Sequence, residues 1–410
     1  MNLKNTADSI INAAINAALP DTAVHKSLNG KTFPGRVFLV AIGKAAWQMA
    51  HAAHNILGDQ ICNGIVITKY HHVKGTIGSL LLREAGHPVP DQNTFEATQE
   101  ALRMVSNLQP TDTVLFLISG GGSALFESPL VPPEELEDIT RQLLACGADI
   151  VEINTLRKRI SAVKGGKFAQ ICSPAKVFSI VLSDIIGDPL DMIASGPACA
   201  DKSTCEQAIN IAEKYKLNLS DKAWQLLNCE TPKLLTNVET MVTGSVTQLC
   251  KAAAEECERL GFTPHILTAS LCCTARDAGS FLASIAQCHA QTDTPLAFLA
   301  GGETVVHLTG NGLGGRNQEL ALSAADGIKG LKNVAVFSVG SDGTDGPTDA
   351  AGGYVDGSTY EELLHQGIHI DAVLRNNDAY HALEASNGLI ITGPTGTNVN
   401  DIAVLLIDKC

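Results

Sequence analysis

Residues 299–351 read LAGGETVVHLTGNGLGGRNQELALSAADGIKGLKNVAVFSVGSDGTDGPTDAA. Apolar, β-branched runs alternate here with glycine turns and one segment of helical spacing. That is the pattern of an α/β fold, in which polar groups gather beyond the strand ends and face a ligand crevice. VAVFSVG has strand length and runs straight into SDGTDGPTDAAGG, whose glycines and proline forbid a helix. Asp342, Asp345 and Asp349 therefore hang off the end of a buried strand. Aspartates so spaced on a loop suit Mg²⁺ held through one or two oxygens, hydrogen bonds from substrate hydroxyls, or Asx turns that cap backbone amides.

TVVHLTG, NGLGGR and NQELALSAA read as strand, glycine turn and helix, with Arg316 in the helix's first turn. Free amides and the dipole at a helix N-terminus favour anions, so an arginine there strengthens a phosphate or carboxylate site. The literal pattern G-x-G-x-x-G falls on Gly310, Gly312 and Gly315 and raises a nicotinamide-cofactor reading. That fingerprint wants an acidic residue about twenty positions on, at a strand end, and Asp342 comes later.

Upstream the same device recurs. RVFLVAIG runs into Lys44, which sits at a strand's end and a helix's start, well placed to meet a bound anion. GIVITK, residues 81–85 and TVLFLIS continue a series of short apolar runs separated by helix-length segments, which predicts a parallel sheet. In GHPVPDQNT, Asp91 or Asn93 can start the next helix. Gly120, Gly121, Gly122 and Ser123 follow TVLFLIS; three glycines in a row expose amides with no side chains in the way and suit a phosphate cradle. NTLRKRISAVKGGK, residues 154–167, concentrates basic charge in an acidic chain and implies phosphates nearby. Lys164, Gly165 and Gly166 form its turn, and at least one of Arg157, Lys158 and Arg159 is expected in solvent. KVFSIVLSD then ends a strand at Asp184, a candidate for Mg²⁺ or a substrate hydroxyl.

At 410 residues the chain exceeds one ordinary hydrophobic core, so two domains are expected, 1–236 and 237–410. Residues 1–29 read as a helix that stops at Pro20 and docks on the domain that follows. A net charge of -14 disfavours nucleic acid and anionic membrane as partners. Twelve cysteines without C-x-x-C spacing argue for reduced thiols rather than a zinc module. With no signal pattern and no apolar run near the ~18 residues that span a bilayer, the expected location is the cytoplasm.

Eight blocks in order, IGKAA (42–46), GHPVPD (86–91), SGGGSALFESP (119–129), INTLRKRISAVKGGK (153–167), SDIIGDPLDMIASGP (183–197), GGET (301–304), GGRNQE (314–319) and DGTDGPTDAAG (342–352), resemble the glycerate 2-kinase family over nearly the full length. The last two fall in that family's C-terminal MOFRL portion. The resemblance implies an N-terminal Rossmann-like parallel sheet with helices on both faces, a smaller C-terminal α/β domain, and a site in the cleft between them. It implies ATP- and Mg²⁺-dependent phosphorylation of D-glycerate at its 2-hydroxyl. Lys44 and Arg316 match the family's proposed catalytic pair. Asp184 joins them as catalytic candidate, Gly120–Ser123 and Lys164–Gly166 as phosphate cradles, Asn317, Glu319 and Glu303 as substrate contacts, and Asp342, Asp345 and Asp349 as Mg²⁺ ligands. The expected partners are ATP and D-glycerate, with a homodimer as the candidate assembly. Thr274-Ala275-Arg276 stands where members usually carry Glu-Ala-Arg. Members of the family have also been labelled hydroxypyruvate reductases, which keeps an NAD(P)H-dependent reductase as the alternative.

Overall fold

The computed structural model describes residues 2–409. Two six-stranded sheets organise it. The first contains β1 (Val37–Ile42), β2 (Ile61–Lys69), β3 (Leu81–Ala85), β4 (Thr113–Ile118), β5 (Lys176–Leu182) and β6 (Val238–Gly244), in the order β3-β2-β1-β4-β5-β6. This is the strand order of the doubly wound dinucleotide fold. β3, β2, β1, β4 and β5 pair in parallel. VFLVAI and TVLFLI are buried at every position, as central strands covered on both faces must be. Phe116, Phe126 and Phe168 meet ring to ring at 4.6–5.8 Å beneath the sheet, and each buried phenyl contributes ~1.5–3 kcal/mol. Asp91, rather than Asn93, starts the helix Gln92–Val105, accepting the Thr94 amide in a reciprocal capping box.

The second sheet contains β7 (Thr263–Leu271), β8 (Leu296–Gly302), β9 (Val334–Gly340), β10 (Gly352–Asp356), β11 (Leu389–Ile390) and β12 (Asp401–Ile407), in the order β11-β10-β9-β12-β8-β7. It is mixed: β7 and β8 are parallel, while the buried β12 runs antiparallel to both β8 and β9. TVVHLTG is not a strand, contrary to its apolar pattern. Val305 makes a single bridge to Thr274, and the segment continues as a loop with Leu308 exposed.

By contacts the chain divides into two compact units. One holds Val24–Ser183 and Asp188–Thr243; the other holds everything up to Ala23, Asp184–Gly187 and everything from Gly244. The division thus falls after Thr243, later than the boundary read at 236, because β6 completes the first sheet. The helix Leu3–Ala17 also differs from expectation. Its apolar face, Ile10, Ile11, Ala14 and Ile15, packs with Val246, Leu249 and Ala253 in the C-terminal unit rather than on the domain that follows it in sequence. Ser9 Oγ donates to Glu256 Oε1 at 2.5 Å on the same contact.

Candidate active site

In the N-terminal unit, β1 and β4 lie in register, Ile42 opposite Ile118, so the turns that follow them meet at the point where strand order reverses. The Lys44 amide donates to the Gly120 carbonyl at 2.9 Å. Ser119 Oγ ties the turns together, accepting from the Ala45 amide at 3.0 Å and donating to the Ile42 carbonyl at 3.2 Å. Gly43 has φ 109°, and a Cβ there would meet the Ser119 carbonyl oxygen at 2.4 Å, so only glycine permits this approach. The amides of Gly120, Gly121 and Ser123 donate to no backbone carbonyl outside their own helix among the described residues. Lys44 is exposed, with its stem beside Gly121. A cation and open glycine amides are thus brought together.

The basic stretch behind them corrects an expectation. Lys164 is buried and its ammonium donates to the carbonyls of Ser123 and Phe126 at 2.7 and 3.2 Å, 3.5 Å from Glu127. Burial draws its pKa down to about 8, against the pull of Glu127. The Gly165 and Gly166 amides donate to the carbonyls of Ser195 and Gly196 at 3.0 and 2.7 Å. Lys164, Gly165 and Gly166 are therefore committed to protein acceptors. Lys164 props the Gly120–Ser123 loop from behind, and the two glycine amides hold the Ser195–Gly196 turn rather than forming a second cradle. Nor is any of the three consecutive basic residues in open solvent. Lys158 and Arg159 are buried against Asp201, and Arg157 lies 3.7 Å from Glu127, because their helix, Ile150–Ile160, is enclosed by the segments that carry those carboxylates.

In the C-terminal unit the antiparallel β12 sets the geometry. Its register places Asp401 opposite Gly302, the last residue of β8, and Gly340, the last of β9. The head of one strand and the tails of two others thus share an edge. Arg316 opens the helix Arg316–Gly327 at that edge. Its Nε and Nη2 donate to the two oxygens of Asp401 at 2.5 and 3.0 Å, and Nη1 donates to Glu303 Oε1 at 2.8 Å. Glu303 Oε2 also accepts from Asn400 Nδ2 at 3.3 Å. Burial pushes the Asp401 carboxyl above the usual Asp range, against the pull of Arg316. Burial likewise opposes the Arg316 charge, but Asp401 and Glu303 outweigh it and its pKa rises.

Other residues expected here do structural work. Asp345 is buried and caps the Arg316 helix, accepting the Asn317 and Gln318 amides at 3.1 and 2.9 Å. Asn317 is buried and accepts from Ser338 Oγ at 2.6 Å; Glu319 is buried in an ion pair with Arg276 at 2.8 Å. These two are enclosed by protein partners rather than open to a substrate. Asp342 Oδ1 accepts the Thr344 amide at 3.0 Å in an Asx turn, leaving Oδ2 without a donor among the described residues, and exposed Asp349 accepts from Tyr380 at 2.9 Å. The three aspartates do not converge, and no group of three or more His, Cys, Asp or Glu side chains among the described residues could hold a metal ion. Asp184 is half-buried, two residues beyond β5.

The glycine pattern at Gly310, Gly312 and Gly315 is not a phosphate cradle. Asn377 Oδ1 accepts the amides of Thr309 and Gly310 at 2.7 and 3.0 Å, the Asn376 carbonyl accepts Gly312 at 2.8 Å, and Asp378 accepts Leu313 at 2.9 Å. A Cβ on Gly310 would meet the Asn376 backbone at 2.4 Å and one on Gly315 would meet Asp345 Cγ at 2.3 Å, so Gly310 and Gly312 serve close packing of two loops and Gly315 the approach of Asp345. Asp401 and Asn400, by contrast, escape sequence reading; the signal was a carboxylate heading the apolar run IAVLLI.

Residues 6–228 match the family model described as a domain of unknown function, DUF4147, and residues 296–401 match the MOFRL family. A D-glycerate 2-kinase from Thermotoga maritima is 52% identical over 411 residues, covering 99% of this chain and 98% of its own. An Agrobacterium vitis protein named provisionally as a hydroxypyruvate reductase is 38% identical over 387 residues, covering 91% and 100%. The crystal structure of the Thermotoga maritima glycerate kinase superposes with a TM-score of 0.94 over 99% of both chains. With this likeness running through both units, the chain belongs to the glycerate 2-kinase family.

Proposed function

We propose that this protein is an ATP-dependent D-glycerate 2-kinase, moving the terminal phosphoryl group of ATP onto the 2-hydroxyl of D-glycerate to give 2-phospho-D-glycerate and ADP. The observation that carries the reading is the full-length 52% identity to a protein of that name. The chemistry on hand agrees, because phosphoryl transfer asks chiefly for positioning and for neutralisation of charge on the moving group. In this reading Lys44 and the amides of Gly120 and Gly121 take phosphate oxygens. Arg316 spends three of its five N–H groups on Asp401 and Glu303, so two remain for an anionic group of the substrates. Asp184 is the candidate acceptor for the hydroxyl proton. Mg²⁺ takes only one or two protein carboxylates and rides on nucleotide phosphates. Asp342 Oδ2, a hard oxygen with no donor among the described residues, fits that duty, and the ion would supply charge neutralisation of the phosphates.

The reductase alternative finds no support in the first two glycines of the pattern that raised it, since the Gly310 and Gly312 amides are spent on Asn377 and Asn376. The test is a coupled assay for ADP with ATP, Mg²⁺ and D-glycerate, with the product read by phosphorus NMR. ADP formed only with D-glycerate, alongside a 2-phosphate signal, is the expected result. NADH consumed on hydroxypyruvate without ADP release would sink the reading.

A further inference from the structure

Asn154, Ser195 and Ser123 form one chain of hydrogen bonds inside the N-terminal unit. Ser195 Oγ donates to Asn154 Oδ1 at 2.8 Å and lies 2.9 Å from Ser123 Oγ. A serine hydroxyl owns a single proton. With that of Ser195 on Asn154, the hydrogen between the two serines belongs to Ser123. The Asn154 amide is oriented from its other side, where Nδ2 faces the Met192 sulfur at 3.7 Å. A thioether accepts weakly and donates nothing, so turning the amide round would set oxygen against sulfur. The chain therefore has a direction: Ser123 gives to Ser195, and Ser195 gives to Asn154.

The backbone that presents Ser195 is unusual. Ala194, Ser195 and Gly196 have φ 51°, 60° and 67°, three left-handed residues in succession, a conformation that residues with side chains adopt at a cost. The Gly165 and Gly166 amides clamp its carbonyls. A Cβ on Gly122 would come within 3.0 Å of Ala194 Cβ, so the glycine loop and the strained turn are fitted to one another. Ser195 is fully buried and Asn154 nearly so. The Ser123 proton is thus turned inward, and its lone pairs are what the glycine loop presents. A phosphate oxygen is itself an acceptor and gains nothing there; a hydroxyl hydrogen does.

We propose that Asn154 and Ser195 are positioning residues that fix Ser123 as a hydrogen-bond acceptor for a substrate hydroxyl, and not as a phosphate donor. The proposal rests on the kinase reading. The hydroxyl comes from the hydroxy acid or from the nucleotide ribose, and the experiment separates the two.

Ser195→Gly removes the hydroxyl at a φ where glycine is at ease, so it relaxes the backbone while breaking the chain. The expected result is a melting temperature no lower than the parent's and a fall in kcat/KM of about tenfold, the value of one good hydrogen bond. Because Ser195 acts through Ser123, that fall should vanish in a Ser123→Ala background. Asn154→Ala should lower kcat/KM as Ser195→Gly does and lose that effect in the Ser123→Ala background, though without the relief of backbone strain. A raised KM for D-glycerate assigns the hydroxyl to the hydroxy acid. A raised KM for ATP, not repeated with 2′-deoxy-ATP, assigns it to the ribose. An undiminished loss in the Ser123→Ala background, no loss at all, or a lowered KM for ATP as the freed proton turns to phosphate, would each overturn the proposal. Absence of ADP from the parent protein would instead sink the kinase reading.

Discussion

The Asp401 carboxylate holds the Arg316 guanidinium by two hydrogen bonds, at 2.5 and 3.0 Å, at the head of a strand whose register sets it beside the ends of β8 and β9. This geometry is bidentate, and a lysine cannot reproduce it. Arg316→Lys keeps a positive charge near the buried Asp401, so the fold should survive. The kcat/KM for ATP and D-glycerate should fall on the order of 10²-fold or more, the usual loss when a preorganised donor to developing charge is removed. Steady-state kinetics with a parallel thermal melt check this; activity within a few-fold of the parent would show that the fork geometry is irrelevant.

Lys44 should separate activity from stability more cleanly. Its side chain is exposed and its backbone, not its ammonium, stitches the two turns together. Lys44→Met should therefore leave unfolding free energy within about 0.5 kcal/mol of the parent. The phosphotransfer rate should drop on the order of 10²–10³-fold. Urea titration and the ADP assay read the two quantities on one preparation.

How much of this was legible in the sequence follows from where the information lay. The first sheet was readable because VFLVAI and TVLFLI are uniformly apolar and are followed by glycine turns, so Lys44 and Gly120–Ser123 could each be placed at the end of a strand. That those two strands are neighbours is set by pairing the sequence does not display. Residues 154–167 misled, because charge counts cannot tell a cation awaiting phosphate from one already paired with Glu127 or Asp201, and those carboxylates arrive from other elements. TVVHLTG misled for the complementary reason. It is apolar enough for a strand, yet the amides around Gly310 and Gly312 are taken by Asn376–Asp378, about 65 residues away. Asp401 is hard to read from sequence because it heads its strand, and only the antiparallel course of β12 brings that head to the ends of β8 and β9. Asp342, Asp345 and Asp349 looked like one set; three different partners divide them.

The glycine loop allows a test that bears on the reductase alternative. A Cβ on Gly312 would meet Asp378 Cβ at 2.4 Å and the Asn376 carbonyl oxygen at 2.6 Å. Gly312→Ala should therefore cost about 1–3 kcal/mol of stability through overpacking. Because the loop cradles no phosphate, KM for ATP should stay within about twofold, since that corresponds to only ~0.4 kcal/mol of lost binding. NADH should show no saturable fluorescence change with either protein. Saturable NADH binding that Gly312→Ala abolishes would restore the dinucleotide reading of Gly310–Gly315.

Asp345 makes an unusual prediction about pH. Burial pushes its carboxyl up to about 6, with Asp401 adding to the rise, against the opposing pull of the Gln318 and Asn317 amides it caps. In the unfolded chain the same group titrates near the ordinary value of 3.8. Between those values the folded state holds a proton that the unfolded state does not. Stability from this group therefore increases as pH falls from about 6 towards 3.8 and is lost as pH rises through 6. The interval corresponds to roughly 3 kcal/mol at most. Asp345→Asn imitates the neutral form and keeps one oxygen for a helix amide, so its stability should lack this component. Urea unfolding of both proteins at pH 4, 5, 6 and 7 isolates it, because groups titrating alike in the two chains cancel in the difference. Relative to the variant, the parent should gain stability steadily from pH 7 to pH 4; a difference that stays flat across that range, or grows in the opposite direction, would mean that Asp345 caps its helix as an ordinary carboxylate.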